Sequence, residues 1–245
     1  MGRFMNITPR RLHTGVALHL TGSGIGTIAV IFGFSRFGSP YSPGIPLLNM
    51  LIISGLIGFY APRHHPFEGF GSANTVTLVR ATLTNGLAGF LVSNPTPTVL
   101  GFISAITLIC LMLDGIDGAL ARHTGMSSNF GARFDMEVDA FLILILSVLL
   151  MQFYALGTWV LSLGLMRYGF IAGGYIWHGL RQPLPESFRR KFICVIQIIS
   201  LTLALNPLLP PPTRTCLLFA ALLLLSYSFG VDIWWLFWHQ TKKKP

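Results

Sequence analysis

The sequence predicts an all-α integral membrane protein, and three observations carry that prediction. Of its 245 residues, 52% are hydrophobic and only 10% charged, with a mean hydropathy of +0.65. The apolar residues gather into eight segments, several of them near the ~20 residues that cross a bilayer as a helix. The basic residues collect in alternate connections between those segments, the asymmetry that orients membrane proteins.

The segments fall near 15–34, 43–60, 74–93, 97–114, 134–153, 155–177, 191–207 and 215–238. The first follows Arg3, Arg10 and Arg11 and is rich in Gly and Thr; no A-x-A-like site follows it, so a retained helix is expected rather than a cleaved signal. The second carries Pro46 near its start, where a helix tolerates proline. The third and fourth are joined by the tight turn Ser93, Asn94, Pro95, Thr96, Pro97, and the fifth and sixth by a short turn near Phe153 and Tyr154. A polar loop from His178 to Lys191, with Pro183 and Pro185, precedes the seventh, and a proline-rich break at Asn206–Thr213 precedes the eighth. Trp234, Trp235 and Trp238 read as an interfacial belt at the end of the last span. Asp232 beside them calls for a basic partner.

With eight spans and both termini on one side, all of the 17 basic residues except Arg36, Arg167 and Arg214 lie on the side of the termini. The positive-inside rule makes that side cytoplasmic. The net charge of +9 then reflects topology and contact with anionic lipid, and the scatter of cations over loops argues against nucleic-acid binding. Cys110, Cys194 and Cys216 have no metal or redox spacing and are expected to be buried small hydrophobes.

Against this apolar background five of the eight acidic residues, Asp114, Asp117, Asp135, Glu137 and Asp139, fall within one short stretch. Carboxylates near hydrocarbon usually hold cations or protons or line a substrate path. Asp114, Asp117 and Ala121 share one helical face at i, i+3 and i+7; Gly131, Asp135 and Asp139 share another at i, i+4 and i+8. Facing helices would bring four carboxylates to one point, where they repel unless neutralised. Arg122 and Arg133 are too few as local cations. Oxygen-only donors suit Mg²⁺ or Mn²⁺, and two ions about 4 Å apart can clamp a phosphoryl group. Gly118, Ala121 and Gly131 would let a bulky anionic ligand approach, with Arg122 a fitting phosphate partner. The same residues also admit a proton or cation pathway, or carboxylates paired with arginines from elsewhere in the chain.

The string D-x2-D-G-x2-A-R-x8-G-x3-D-x3-D, formed by Asp114, Asp117, Gly118, Ala121, Arg122, Gly131, Asp135 and Asp139, resembles the signature of the CDP-alcohol phosphatidyltransferase family at every position. The stretch Ala73 to Arg80 is similar to that family's first core helix, whose Asn, Thr and Arg face the nucleotide; here these are Asn74, Thr77 and Arg80. The likeness covers roughly residues 70 to 238. It implies a six-helix catalytic membrane domain over 70–245, preceded by an extension, 1–69, with two further membrane segments.

The resemblance also implies the chemistry. A phosphatidyl group would pass from a CDP-alcohol such as CDP-diacylglycerol to an acceptor hydroxyl, with release of CMP, in phospholipid synthesis. Asp114, Asp117, Asp135 and Asp139 would hold Mg²⁺ or Mn²⁺, and Asp139 would also serve as general base. Asn74, Thr77, Arg80, Gly118, Ala121, Arg122 and Gly131 would surround nucleotide and phosphate. Arg167, the one cation deep in a predicted span, would bind an acceptor phosphate or pair with the cluster. Arg189 and Arg190 would meet an anionic acceptor or lipid headgroups. A homodimer in a bacterial inner membrane is expected. The rival readings are a divalent-cation transporter or channel and a non-catalytic family member; a cation path has no use for Gly118, Ala121 and Arg122 beside one another.

Overall fold

The computed structural model describes residues 9–37, 41–92, 96–182, 184–185 and 187–241, with side chains over 15–238 of these. The turn residues Ser93, Asn94 and Pro95, the loop residues Pro183 and Glu186, the terminal Arg3 and Lys242 to Lys244, and the side chains of Arg10 and Arg11 lie outside the described residues.

Among the described residues the chain is helical: α1 (Pro9–Phe34), α2 (Gly44–His64), α3 (Ser72–Ala88), α4 (Pro97–Thr124), α5 (Asn129–Tyr154), α6 (Leu161–Ile176), α7 (Phe188–Ala204) and α8 (Pro211–Thr241), linked by short turns. Each predicted segment finds a helix. Five stretches, Gly15–Phe34, Gly44–His64, Ser72–Val92, Pro97–Thr124 and Pro211–Trp238, are long and apolar enough to cross a bilayer. The chain divides into two compact units, residues 1–139 and 140–245, with α5 running from one into the other.

In the first unit α3 is the central helix. Its sequence alternates small and hydroxyl residues, which lets neighbours approach closely, and most of it is buried. The buried hydroxyls stay satisfied within the helix or across it: Thr82 donates to the Leu78 carbonyl at 2.9 Å and meets Ser23 of α1 at 2.9 Å. Asn85 donates to the Pro46 carbonyl of α2 at 2.7 Å. Gly86 lies flush against Val30 and Phe34, and the Tyr41 ring covers Gly89 while its hydroxyl donates to the Gly86 carbonyl at 2.9 Å. The first two helices thus wrap the third.

The fourth helix outlasts its apolar run, which ends near residue 114, and continues through the acidic motif to Thr124, as the shared helical face of Asp114, Asp117 and Ala121 led one to expect. It begins with Thr96 capping the Val99 N–H and Pro97 at the first turn, and stops at Gly125, whose φ of +65° favours glycine. The acidic residues of the first half-motif therefore stand on one rigid helix. Ser128 opens α5 in turn, its hydroxyl accepting from the Gly131 N–H at 3.0 Å.

In the second unit Leu142, Ile145, Leu146, Leu149 and Leu150 form one fully buried face of α5. The predicted sixth segment, 155–177, is interrupted. Ala155 and Gly157 take positive φ, a 3₁₀ turn follows, and α6 starts only at Leu161. Gly164 of α6 lies so close to α5 that a Cβ there would stand 2.6 Å from the Leu144 Cα. Arg214, buried at the start of α8, donates to the carbonyls of Ala204, Asn206 and Leu209 at 2.8–3.0 Å and stacks over the Tyr154 ring at 3.4 Å. It closes the proline-rich break by satisfying carbonyls at the end of α7. Cys110 of the first unit is buried as expected, whereas Cys194 of α7 is half-buried and Cys216 of α8 exposed.

Candidate functional site

Three helices of the first unit supply the site. On α3, Asn74, Thr77 and Arg80 recur at one face and all three are buried. On α4, Asp114 and Asp117 are one turn apart; on α5, Asp135 and Asp139 are again one turn apart. The four carboxylates converge on the Arg80 guanidinium. Its Nη1 lies 2.9 Å from Asp114 Oδ1, 2.8 Å from Asp117 Oδ2 and 2.6 Å from Asp135 Oδ1, and its Nη2 pairs with Asp139 Oδ1.

Arg80 is 1% exposed, and its Nε has no hydrogen-bond partner. A buried guanidinium needs such partners, because an uncompensated charge out of water is strongly disfavoured. One cation against four carboxylates still leaves the cluster short of positive charge. The arginines nearest in sequence do not make up the deficit in the buried centre: Arg122 and Arg133 are both exposed.

The carboxylates are not equivalent. Asp117 is the deepest, receiving Arg80 and lying 3.0 Å from the Thr77 hydroxyl. That hydroxyl also lies 3.1 Å from the Ala73 carbonyl, and its single proton serves one acceptor at a time. Asp114, Asp135 and Asp139 are half-buried, and one oxygen from each falls within 4.8 Å of the others. Three carboxylate oxygens at that spacing make an oxygen-only donor set suited to a hard divalent cation. The fit has a direct sign: a cationic nitrogen, Arg80 Nη1, stands within 3 Å of three of the four aspartates.

The small residues of the motif do two different things. A Cβ on Gly118 would meet only Arg122 Nη1, at 3.5 Å, so Arg122 folds back over an otherwise open surface beside the carboxylates. Gly131 is instead filled from within the protein: a Cβ there would lie 2.6 Å from Asn74 Oδ1. Asn74 is itself fixed by donating to the Phe70 carbonyl at 2.6 Å. Ala121, one turn beyond Asp117 on α4, is half-buried.

The family model for CDP-alcohol phosphatidyltransferase matches residues 70–235. The chain belongs to the CDP-alcohol phosphatidyltransferase family. That family accounts for an integral-membrane transferase with an acidic cluster between its helices, and its match takes in α3 to most of α8 while leaving α1 and α2 outside. Comparison with curated proteins found no match, and comparison with solved structures found none.

The remaining predicted residues lie in the second unit. Arg167 is half-buried on α6. Arg189 and Arg190 open α7 and close on Asp232 of α8: Arg189 Nη2 and Arg190 Nη1 lie 2.6 and 3.2 Å from Asp232 Oδ1. Arg189 also donates to the Ser228 hydroxyl and carbonyl at 2.7 and 2.6 Å. Asp232 thus has the basic partners its position called for, and Arg189 is anchored rather than free to sweep the surface.

Sequence reasoning placed Arg80 on the nucleotide-facing side and left open a pairing of the carboxylates with arginines from elsewhere, without naming Arg80 as that partner of all four aspartates. The available signal was the deficit of local cations, together with one arginine at i+3 from Thr77 on an otherwise small, uncharged helix. His65 and Ser128, which flank the site, gave no signal at all.

Proposed function

We propose that this protein transfers a phosphatidyl group from a CDP-alcohol, with CDP-diacylglycerol the default donor, to an acceptor hydroxyl, releasing CMP in phospholipid synthesis. The observation that carries the reading is the convergence of Asp114, Asp117, Asp135 and Asp139, from two helices of a family member, on one point already held by a cationic nitrogen.

In this reading the four aspartates hold Mg²⁺ or Mn²⁺, two ions, with Asp117 the most deeply fixed by Thr77 and Arg80. When bound, the ions neutralise the donor's pyrophosphate and steady the attacking and leaving oxygens. The protein's own residues do the rest. Asp139 takes the proton of the acceptor hydroxyl as its oxygen forms a bond to the β-phosphorus, and the bond from that phosphorus to the CMP oxygen breaks. The open surface at Gly118 and Ala121 admits the nucleotide, and Arg122, exposed beside it, offers its fork to phosphate. Arg80, once its carboxylates are neutralised otherwise, is placed with Asn74 and Thr77 to face the same ligand. Arg167, and the Arg189–Arg190 pair that Asp232 only partly neutralises, are the candidates for an anionic acceptor.

The catalytic membrane domain spans 70–245, with 1–69 an extension of two membrane helices. Both termini and the site face the cytoplasm, in a bacterial inner membrane, where a nucleotide-linked lipid is met. The working unit is a homodimer.

The test is CMP release by detergent-purified protein with Mg²⁺ or Mn²⁺ and CDP-diacylglycerol. Glycerol phosphate, inositol phosphate, serine, inositol and a phosphatidyl lipid are offered one at a time, beside an Asp139→Asn control. CMP that needs both metal and one acceptor, and is absent from the control, is the expected result. Metal binding with no CMP and no CDP-alcohol binding would instead favour a cation path.

A further inference from the structure

Among the described residues of the extension outside the family match, His65 is hydrogen-bonded toward the site. His65, 5% exposed, ends α2, its backbone N–H bonded to the Ala61 carbonyl at 3.0 Å. Its Nε2 lies 2.8 Å from the Gly69 carbonyl and its Nδ1 2.9 Å from the Ser128 hydroxyl. A carbonyl only accepts, so Nε2 carries the ring's proton, and in the neutral ring Nδ1 accepts from Ser128. The Ser128 oxygen in turn accepts the Gly131 N–H at 3.0 Å, which caps the helix bearing Asp135 and Asp139.

The other arm of His65 leads to the same place. Gly69 precedes Phe70, whose carbonyl holds the Asn74 amide at 2.6 Å, and Asn74 Oδ1 fills the space over Gly131. His65 therefore closes a ring of contacts through Gly69, Phe70, Asn74, Gly131 and Ser128, at the end of the unit where α3 begins, α4 ends and α5 begins. Phe130 walls the imidazole at 6.0 Å between ring centroids and Phe67 at 5.3 Å, and the ring itself is buried.

We infer that His65 is a positioning residue for the carboxylate centre: it ties the start of α3 to the cap of α5 and so sets the reach of Asp135 and Asp139 toward Asp114. This rests on the cation reading given above. It gives the extension a part in the site, since His65 lies outside the matched residues 70–235 and bonds to both Gly69 and Ser128.

Mn²⁺ binding by the full-length, detergent-purified protein, followed by electron paramagnetic resonance, tests it without calling on turnover. His65→Ala should weaken Mn²⁺ affinity about tenfold, the scale seen when supports behind metal ligands are removed, and broaden the spectrum of the bound ion. His65→Asn, whose carbonyl oxygen falls near the Nδ1 position, keeps the Ser128 arm but loses the Gly69 arm, and should bind Mn²⁺ with an affinity between those of His65→Ala and wild type. Met50→Ala, a cavity elsewhere on the same helix, should lower thermal stability and leave affinity and spectrum as in the wild type. Equal Mn²⁺ binding in wild type and folded His65→Ala would overturn the inference alone, as would Met50→Ala weakening Mn²⁺ as much as His65→Ala. A wild type that binds no Mn²⁺ would overturn the inference together with the cation reading beneath it.

Discussion

Replacing Arg80 by Met removes the cation while keeping an unbranched stem of similar length, and the structure sets the size of the effect. The guanidinium is buried and pairs with four carboxylates. Breaking a buried pair by deleting one partner typically destabilises by about 3–5 kcal/mol, because the other charge is left uncompensated. For a chain of this size, ~2–4 °C per kcal/mol converts this to a fall in Tm of roughly 6–20 °C in chelator. A divalent cation at about a thousandfold excess over its Kd restores about 4 kcal/mol, comparable to the loss. In the wild type that cation must displace the Arg80 fork, so the metal-induced rise is smaller. The assay is thermal unfolding of the purified protein followed by tryptophan fluorescence, in EDTA and in excess Mn²⁺. The variant should be much less stable than wild type in EDTA and should recover most of the difference with Mn²⁺. A variant as stable as wild type in EDTA, or one whose Tm ignores Mn²⁺, would refute the reasoning.

Three other substitutions probe separate links. Gly131→Ala should gain about 1 kcal/mol of helix propensity but force Asn74 out of place, with overpacking of about 1–3 kcal/mol and loss of a hydrogen bond near 1 kcal/mol. A net fall in Tm without nucleotide is expected; a rise would mean that Gly131 serves only ligand approach. Gly164→Ala sets a Cβ against the Leu144 backbone, which cannot swing aside as a side chain can; denaturant or thermal unfolding should register a loss of about 1–3 kcal/mol. Gly118→Leu enters open space beside Arg122. It should leave Tm near wild type and abolish CDP-alcohol binding by calorimetry; retained affinity would place the nucleotide elsewhere.

The helices were legible in the sequence because apolar run length is a local property, and the pairing of aspartates was legible because i, i+3 and i, i+4 spacings fix a helical face. Helix ends were read less well. Hydropathy alone stops α4 near residue 114; the i, i+3, i+7 spacing of Asp114, Asp117 and Ala121 carried the helix on, and only its end at Gly125 went unread. The sixth segment shortened because Ala155 and Gly157 turn the backbone before α6 can start, a conformational event that hydropathy does not register. The sequence left open that arginines from elsewhere pair with the carboxylates but could not say which, because Arg80 arrives from α3 by tertiary packing while Arg122 and Arg133 are exposed. The link from His65 to Ser128 joins residues 63 positions apart, and neither side chain is unusual in its own neighbourhood.

In the proposed function the four aspartates hold the cation that meets the donor's pyrophosphate. The most direct test of that role is the ³¹P coupling to Mn²⁺ bound by the purified protein with CDP-diacylglycerol present, measured by electron–nuclear double resonance. A phosphorus coupling is expected in the wild type and should disappear, along with tight Mn²⁺ binding, in Asp114→Asn and Asp135→Asn. Mn²⁺ bound as tightly in those variants, or bound in the wild type with no phosphorus near it, would mean that the aspartates do not hold such a cation.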